Sequence, residues 1–280
     1  MSHPTSKVWF ITGASSGFGR ALAEEVIAGG GRVVAAARNT DALRELAAVA
    51  PDRVLGVRLD VTRPDTMRAA LGAARDRFGD IDVLVNNAGY SLVGALEETS
   101  DDELRTLMET LFFGAVTLTR ELLPRMRERR SGTIVQLTSV GGLTTAAGFG
   151  AYCAAKHALE GLSECLAKEV APFGVRVLIV EPGAFRTSLF GAAFRSMPPL
   201  DAYAPSVGPT RAFAASMNGE QAGDPVKAAR AIAAAVAAGA PTLRLPLGAD
   251  AIGGIRQKLA EVAADVDANE AAALATGIDA

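Results

Sequence analysis

Three residues, Ser139, Tyr152 and Lys156, have the types and the spacing of a proton-transfer site. Four residues make just over one helical turn, so Tyr152 and Lys156 can share a helix face with about 5–6 Å between their Cβ atoms. A free phenol has a pKa of about 10, and an ammonium about 4 Å away would stabilise the phenolate by roughly 4 kcal/mol. The spacing therefore predicts a tyrosine whose pKa is lowered by about 3, which suits a general acid or base.

Ser139 follows the apolar run Thr133–Leu137, which is typical of a strand. At the end of that strand, its hydroxyl could hold the carbonyl oxygen of a substrate. Many helices contain a tyrosine four residues before a lysine by chance. The interpretation of these three residues therefore depends on the elements that position them.

Short β-branched runs alternate with longer helical patterns along the chain, and this alternation predicts βαβ units and a parallel sheet. The predicted strands are Val8–Ile11, Arg32–Ala36, Val54–Leu59, Val83–Val85, Thr133–Leu137, Val175–Val180 and Thr242–Leu245. The predicted helices lie near Gly19–Ala28, Pro64–Phe78, Asp101–Arg129, Ala151–Ala171 and Pro225–Ala238. The expected fold class is therefore α/β, with about seven strands.

Residues 184–223 carry many aromatic side chains and four prolines but no clear periodicity. Long loops in compact domains are usually lids or binding loops, so the segment is predicted to cover an apolar substrate pocket. The alternative is that its aromatic side chains only pack the loop onto the core. A terminal amphipathic helix is expected within Asp250–Val266. The whole chain, 1–280, is interpreted as one domain with a C-terminal helical extension at about 250–280.

Composition excludes several classes of protein. The 280 residues are 49% hydrophobic and carry a formal net charge of −3, which argues against a nucleic-acid or anionic-membrane surface. The two cysteines, Cys153 and Cys165, fall about 18 Å apart in one predicted helix, too far for a disulfide. Residues 1–7 are too short for a signal peptide, and no apolar stretch is long enough for a bilayer. We expect a soluble cytoplasmic protein.

A glycine-rich loop, Thr12–Gly19, joins the first predicted strand to the first predicted helix. This order aims the N–H groups and the dipole of the helix at an anion such as a pyrophosphate. Gly13 and Gly17 permit the tight turn, and Gly19 lets the helix pack against the sheet. The spacing, G-x3-G-x-G, differs from the general G-x-G-x-x-G pattern but serves the same purpose.

Further motifs follow the later strands in a fixed order. They are Asp60-Val61, Asn86-Asn87-Ala88-Gly89, and Pro182-Gly183 with Thr187. Together with the glycine loop and the Ser/Tyr/Lys set, they make the chain resemble the short-chain dehydrogenase/reductase family over nearly its whole length. The resemblance implies a single Rossmann-type, doubly wound parallel sheet flanked by helices, with a substrate lid loop.

The resemblance also implies a role for each motif. Cofactor-binding residues would be Gly13, Ser15, Ser16, Gly17, Phe18 and Gly19 at the phosphates, Asp60 and Val61 at the adenine, Asn87, Ala88 and Gly89 on the floor, Tyr152 and Lys156 beside the ribose, and Pro182, Gly183 and Thr187 at the nicotinamide. No metal is expected. Arg38 follows the second strand, where arginine accommodates a 2′-phosphate and an acid would bind the 2′-hydroxyl. Arg38 therefore favours NADP(H) over NAD(H).

By resemblance, the protein is an NAD(P)-dependent oxidoreductase of the ketoreductase type (EC 1.1.1.-). It would transfer hydride between nicotinamide and an alcohol or carbonyl carbon of a fairly apolar small-molecule substrate, with Ser139, Tyr152 and Lys156 catalytic. A homodimer or homotetramer is expected, often through the helices at Asp101–Arg129 and Ala151–Ala171. Leu111 occupies the position where the family usually has a water-holding asparagine. This leaves two alternatives open: a non-redox enzyme resembling epimerases or dehydratases, or a weakly catalytic NADP-binding sensor.

Overall fold

A parallel sheet of seven strands forms the centre of the computed structural model, which describes residues 7–278. The strands are β1 Val8–Thr12, β2 Arg32–Ala37, β3 Val54–Arg58, β4 Val83–Asn86, β5 Ser91–Val93, β6 Gly132–Leu137, β7 Val175–Pro182, β8 Phe194–Ser196 and β9 Arg244–Leu247. The large sheet has the order β3-β2-β1-β4-β6-β7-β9, and β5 pairs with β8 in a separate small sheet. The strand order reverses between β1 and β4, the place where open α/β sheets bind ligands at the carboxyl ends of their strands.

Helices cover both faces of the sheet. They are α1 Gly17–Ala28, α2 Thr40–Val49, α3 Pro64–Phe78, α4 Asp101–Met108, α5 Gly114–Arg129, α6 Gly150–Val170, α7 Ala204–Ser216, α8 Pro225–Ala237 and α9 Ala249–Leu274. A π-helical turn, Glu109–Phe113, joins α4 to α5, so the helix predicted over Asp101–Arg129 is one run with a widened turn inside it. The fold is the Rossmann-like α/β sheet that the sequence predicts.

Alternate residues of β1 face opposite layers of the core. Ile11 packs with Leu22 of α1 and Ile232 of α8 on one face of the sheet. Phe10 packs with Met67 of α3 on the other face. The strands of a sheet that is buried on both faces have continuously apolar sequences, which explains the Val-Trp-Phe-Ile sequence of β1.

Helix α2 was not predicted, and strand β9 is shifted from its predicted range. Helix α2 is not singled out by the sequence patterns, although the Asn39 side chain accepts a hydrogen bond from the Asp41 N–H and caps it. Leu43 and Leu46 bury the inner face of this short helix. Strand β9 begins at Arg244, two residues later than Thr242, because its register is set by pairing with β7.

The prediction that residues 184–223 are irregular was wrong. This segment contains a 3₁₀ turn at Ser188–Phe190, strand β8 and helix α7. The Phe190 ring packs at 5.9 Å from that of Phe194 and 6.3 Å from that of Phe213, between ring centroids. Aromatic packing and the pairing of β8 with β5 therefore give the segment a defined structure.

The part of the chain from residue 7 to residue 278 contains no helix that combines the length and the apolarity needed to cross a membrane. Over the same residues, no three His, Cys, Asp or Glu side chains lie together in a way that could hold a metal ion. Cys153 and Cys165 are both free and both lie in α6.

Candidate active site

A cavity of about 720 Å³ opens at the carboxyl ends of the central strands. Its lining contains almost all of the predicted site residues. They are Gly13, Ser15, Ser16, Gly17, Phe18, Arg38, Asp60, Val61, Asn87, Ala88, Gly89, Ser139, Tyr152, Lys156, Pro182, Gly183 and Thr187. Gly19 is the predicted residue that does not line the cavity. The fold thus brings motifs from six separate strand ends into one site.

The Thr12 side chain ties the glycine loop to the Asn87 loop. Its hydroxyl donates to the Val85 carbonyl at 3.1 Å and accepts the N–H groups of Asn87 at 2.9 Å and Ala88 at 3.0 Å. In return, Asn87 Nδ2 donates to the Thr12 carbonyl at 2.7 Å and to that of Gly13 at 3.3 Å. Because every one of these groups has a partner, the two loops form one rigid floor beneath the cavity.

Gly19 lies on the side of the glycine loop that packs against Asn87, and it does not line the cavity. A Cβ atom at this position would lie 2.5 Å from both Asn87 Nδ2 and the Gly13 carbonyl oxygen. Glycine therefore allows helix α1 to approach the floor closely. The role predicted for Gly19 in helix packing agrees with this contact, whereas its expected place around the phosphates does not.

The N-terminus of α1 fits a pyrophosphate. Ser16 precedes the helix in an extended conformation, and its side chain makes no capping hydrogen bond. Gly13 and Gly17 adopt left-handed backbone conformations, with φ of 68° and 55°, which turn the loop around the cavity. The first N–H groups of the helix are left for a ligand, and the helix dipole favours an anion there.

Arg38 and Asp60 lie at the end of the cavity formed by β2 and β3. Partial burial would by itself raise the pKa of Asp60. The N–H and hydroxyl of Thr62, together with the charges of Arg38 and Arg63, outweigh it and hold that pKa below its usual value. Asp60 is therefore a carboxylate at neutral pH, with exposed Arg38 close enough to stabilise its charge.

Ser139, Tyr152 and Lys156 meet at the opposite end of the cavity. Ser139 follows β6, and its hydroxyl accepts the Gly141 N–H at 3.1 Å. Tyr152 and Lys156 lie one turn apart on the buried face of α6. The Lys156 ammonium donates to the Leu137 carbonyl at 2.8 Å and lies 5.8 Å from the centre of the Tyr152 ring.

The prediction that Lys156 lowers the pKa of Tyr152 was wrong: in this structure the pKa of Tyr152 is raised. Burial raises the pKa of Tyr152 to about 12, although a hydrogen bond with Ser139 opposes the rise. Burial also lowers the pKa of Lys156 to about 8, against the charge of Glu160, which raises it. Loss of hydration is the largest cause of both shifts, and the Lys156 ammonium is hydrogen-bonded to the Leu137 carbonyl at the end of β6.

Leu111 lies in the π-helical turn and is only 3% exposed. It packs in a cluster with Tyr152 and with Leu107 at the end of α4. A cavity of about 10 Å³ separates Leu111 from Lys156, and Thr110 also lines it. The Thr110 hydroxyl donates to the Thr106 carbonyl at 2.8 Å, so this hydroxyl is already used within its own helix.

A partly buried ionic cluster, which the sequence did not predict, lies next to Lys156. The guanidinium of Arg244 on β9 contacts Glu160 at 2.6 Å and also pairs with Glu181 of β7 and Glu164 of α6. The side chains of Glu160 and Glu181 are 4% and 1% exposed. Glu160 stands four residues after Lys156, a spacing that is visible in the sequence, but the partners come from distant segments.

The remaining cavity wall carries a group of aromatic side chains and one cation. Phe149, Phe190 and Phe213 line it together with Tyr90 and Arg195. The Arg195 guanidinium lies 4.5 Å from the centre of the Tyr90 ring and pairs with Glu103 at 2.9 Å. The sequence predicted an apolar pocket beneath residues 184–223 but gave no indication of Tyr90 or Arg195 as its polar part.

Comparison with known families agrees with this architecture. The family model described as short chain dehydrogenase matches residues 7–198. The chain is a short-chain dehydrogenase/reductase. A short-chain dehydrogenase from Streptomyces avermitilis, of known crystal structure, is 50% identical to it and superposes with a TM-score of 0.92, covering 99% of this chain and 100% of that one.

Two further relatives of this short-chain dehydrogenase/reductase bear on its chemistry. The oxidoreductase BOA17 of Botryotinia fuckeliana is 37% identical over 88% of this chain and 90% of its own length. A family member from Burkholderia phymatum, solved in complex with NAD, is 25% identical with a TM-score of 0.84, covering 95% of this chain and 97% of that one. The chain thus belongs to an oxidoreductase family that uses nicotinamide cofactors.

Proposed function

We propose that this short-chain dehydrogenase/reductase is an NADP(H)-dependent oxidoreductase acting on an alcohol or carbonyl carbon of a fairly apolar substrate. One observation carries the proposal. A single cavity has an anion-binding helix terminus and Arg38 at one end and Ser139, Tyr152 and Lys156 at the other, beside an aromatic wall. The cavity therefore offers sites for a dinucleotide and for an apolar reactant in contact with it.

Tyr152 is the proposed general acid in the direction of reduction. With a pKa of about 12, its hydroxyl is protonated at neutral pH and can donate to an oxygen that is gaining negative charge. The Ser139 hydroxyl would orient that oxygen, and the Lys156 ammonium would stabilise its charge. A bound nicotinamide supplies the hydride, which the protein has no group to provide.

The preference for NADP(H) rests on Arg38. Arg38→Asp should lower kcat/KM for NADPH by about 10- to 100-fold, the range expected for the loss of a charge-assisted hydrogen bond. The same substitution should leave kcat/KM for NADH unchanged or raised. Arg63→Asp is the matched control, because Arg63 also lies near Asp60 but does not line the cavity. Equal NADPH kinetics in Arg38→Asp and the parent would refute the assignment.

The activity itself is tested by steady NADPH consumption with aryl ketones, steroids and long-chain aldehydes. Tyr152→Phe should bind NADPH normally, as followed by cofactor fluorescence, and lose at least 1,000-fold in turnover, because it lacks the proton donor. Turnover that survives in Tyr152→Phe would exclude Tyr152 as the acid. Ser139→Ala should lose less, because only one orienting hydroxyl is removed.

A second candidate is a cofactor-binding sensor with little catalysis. The observation in its favour is the hydrocarbon side chain of Leu111, buried beside Lys156 where a water-holding amide is usual. NADPH binding without turnover across the whole panel would favour the sensor. Conversion of a substrate without net NADPH consumption would instead favour a non-redox enzyme.

The remaining proposals concern the context of the enzyme. We place it in the cytoplasm, as one domain that includes residues 184–223 as a substrate lid. A homodimer or homotetramer is proposed, through α4, α5 and α6. Fractionation of the native host tests the compartment, and sedimentation of the purified protein tests the assembly.

A further inference from the structure

Helix α9 leaves the body of the protein soon after it begins. Its first turn is held, because Ala251 is fully buried and Asp250 accepts the Ala184 N–H at 2.6 Å. Gly254 then passes close to Val140 and Thr144. From residue 259 to residue 278, every residue is exposed. Because α9 is 26 residues long, more than half of its length of about 39 Å has no packing partner within the described chain.

The exposed part carries an apolar seam. Ile255, Leu259, Val262 and Val266 are spaced four, three and four residues apart, and Asn269 and Ala273 continue the pattern. Leu259, Val262 and Val266 are 63%, 45% and 62% exposed. A seam with alternating spacings of three and four is the a/d pattern of a coiled coil. Most of the stability of helices in proteins comes from packing of an apolar face, so the pattern indicates that another helix covers the seam.

The charges beside the seam indicate which helix that is. If Leu259 is an a position, then Arg256 and Lys258 flank the seam in its first half, whereas Asp265 and Glu270 flank it in its second half. An antiparallel copy of α9 would place the basic half of each helix against the acidic half of the other. A parallel copy would instead bring the acidic Asp265 and Glu270 together and leave Lys258 beside Ala263. The acidic half also disfavours an anionic membrane surface.

We propose that α9 of this chain pairs antiparallel with α9 of a second copy. The seam of each helix would cover the other, with Lys258 opposite the partner's acidic half at Asp265. This contact is separate from the interfaces proposed above for α4, α5 and α6, and it depends on neither the cofactor nor the substrate.

The first test measures the mass of the full chain by sedimentation velocity between 1 and 100 μM. Leu259→Gln with Val266→Gln should halve the mass of the largest species or weaken its association at least tenfold. Ala260→Gln with Ala264→Gln is the matched control, since both residues are exposed on the same helix but lie off the seam. A parent chain that is monomeric at 100 μM, or a seam variant as large as the parent, would overturn the proposal.

The second test concerns orientation. Lys258→Glu and Asp265→Lys, each alone, should weaken association about tenfold. In the antiparallel pair, each substitution puts like charges at both of the two contacts between positions 258 and 265. Mixing the two variants should restore it, because both pairs in the mixed dimer are then opposite in charge. In a parallel coil, Lys258 would face Ala263, so Lys258→Glu would have no effect. That result, or a mixture no tighter than its components, would refute the antiparallel pairing.

Discussion

Arg244→Met removes the only cation that contacts all three carboxylates of the ionic cluster in the described structure. The methionine side chain can fill much of the space of the arginine stem, so the main loss is charge and not packing. Glu160 and Glu181 would then be buried without the cation that forms their salt bridges. Breaking a buried pair by removing one member costs about 3–5 kcal/mol. For a chain of this length, this corresponds to a fall in Tm of roughly 10 °C.

The loss should depend on pH. Burial, then the charge of Glu160, raise the pKa of Glu181, and Arg244 opposes both. Without Arg244, the pKa of Glu181 in the folded state rises further above the unfolded value. The folded state then binds a proton that the unfolded state lacks, so the free energy of unfolding decreases as pH rises through that interval. The fall in Tm should therefore be larger at pH 8 than at pH 5.5.

The assay is thermal unfolding followed by circular dichroism at both pH values. Arg230→Met is the control, because Arg230 is exposed and pairs with Glu25 at 3.5 Å, and it should cost less than about 1 kcal/mol. Adding Glu160→Gln and Glu181→Gln to Arg244→Met should recover more than half of the loss. A loss of equal size at both pH values, or no recovery in the triple variant, would show that charge burial is not the cause.

Three further outcomes follow from the site. Because the pKa of Lys156 is lowered to about 8, kcat/KM for reduction should fall as pH rises above that value. Glu160→Gln should move this fall to lower pH, since the charge of Glu160 raises the pKa of Lys156. A profile that stays flat to pH 9.5 would contradict this. Leu111→Asn should lower the free energy of unfolding by about 2–5 kcal/mol, because it buries an amide in an apolar cluster. The same variant should turn over faster if the amide holds a water that carries protons to Lys156. An unchanged rate and pH profile would refute that proton relay. Gly19→Ala should lower the free energy of unfolding by about 1–3 kcal/mol and weaken NADPH binding in a fluorescence titration. Gly72→Ala is the control, because its added Cβ meets no atom within 4 Å and should not destabilise α3. Equal Tm values for the two variants would contradict the contact with Asn87.

Local patterns predicted much of the fold because the signals lie close together in the chain. Helix α3 spans Pro64–Phe78 as predicted, since proline starts it and an arginine-rich last turn precedes Gly79. The glycine loop and the spacing of Tyr152 and Lys156 likewise depend on a few neighbouring residues. These are the features that a sequence can specify without reference to tertiary structure.

The features that the sequence did not predict depend on burial and on distant partners. Helix α2 is only ten residues long, and a helix of that length is marginal in water without the core contacts that Leu43 and Leu46 make. The raised pKa of Tyr152 follows from its burial, whereas the spacing of two residues reports only their mutual charge. The Arg244 cluster joins segments up to 84 residues apart, and only the pairing of β7 with β9 brings them together.

The pairing of β9 with β7 also has a consequence for biosynthesis. Arg244 follows Glu160 by 84 residues and Glu181 by 63, so both carboxylates leave the ribosome well before the cation that neutralises them. Until then, the outer side of β7 is an open sheet edge beside two carboxylates that resist burial. Translation therefore has to pass β9 before this edge of the sheet can be covered. A chain that ends before β9 would keep that edge open and leave both carboxylates without Arg244, and unpaired strand edges make incomplete chains prone to aggregate.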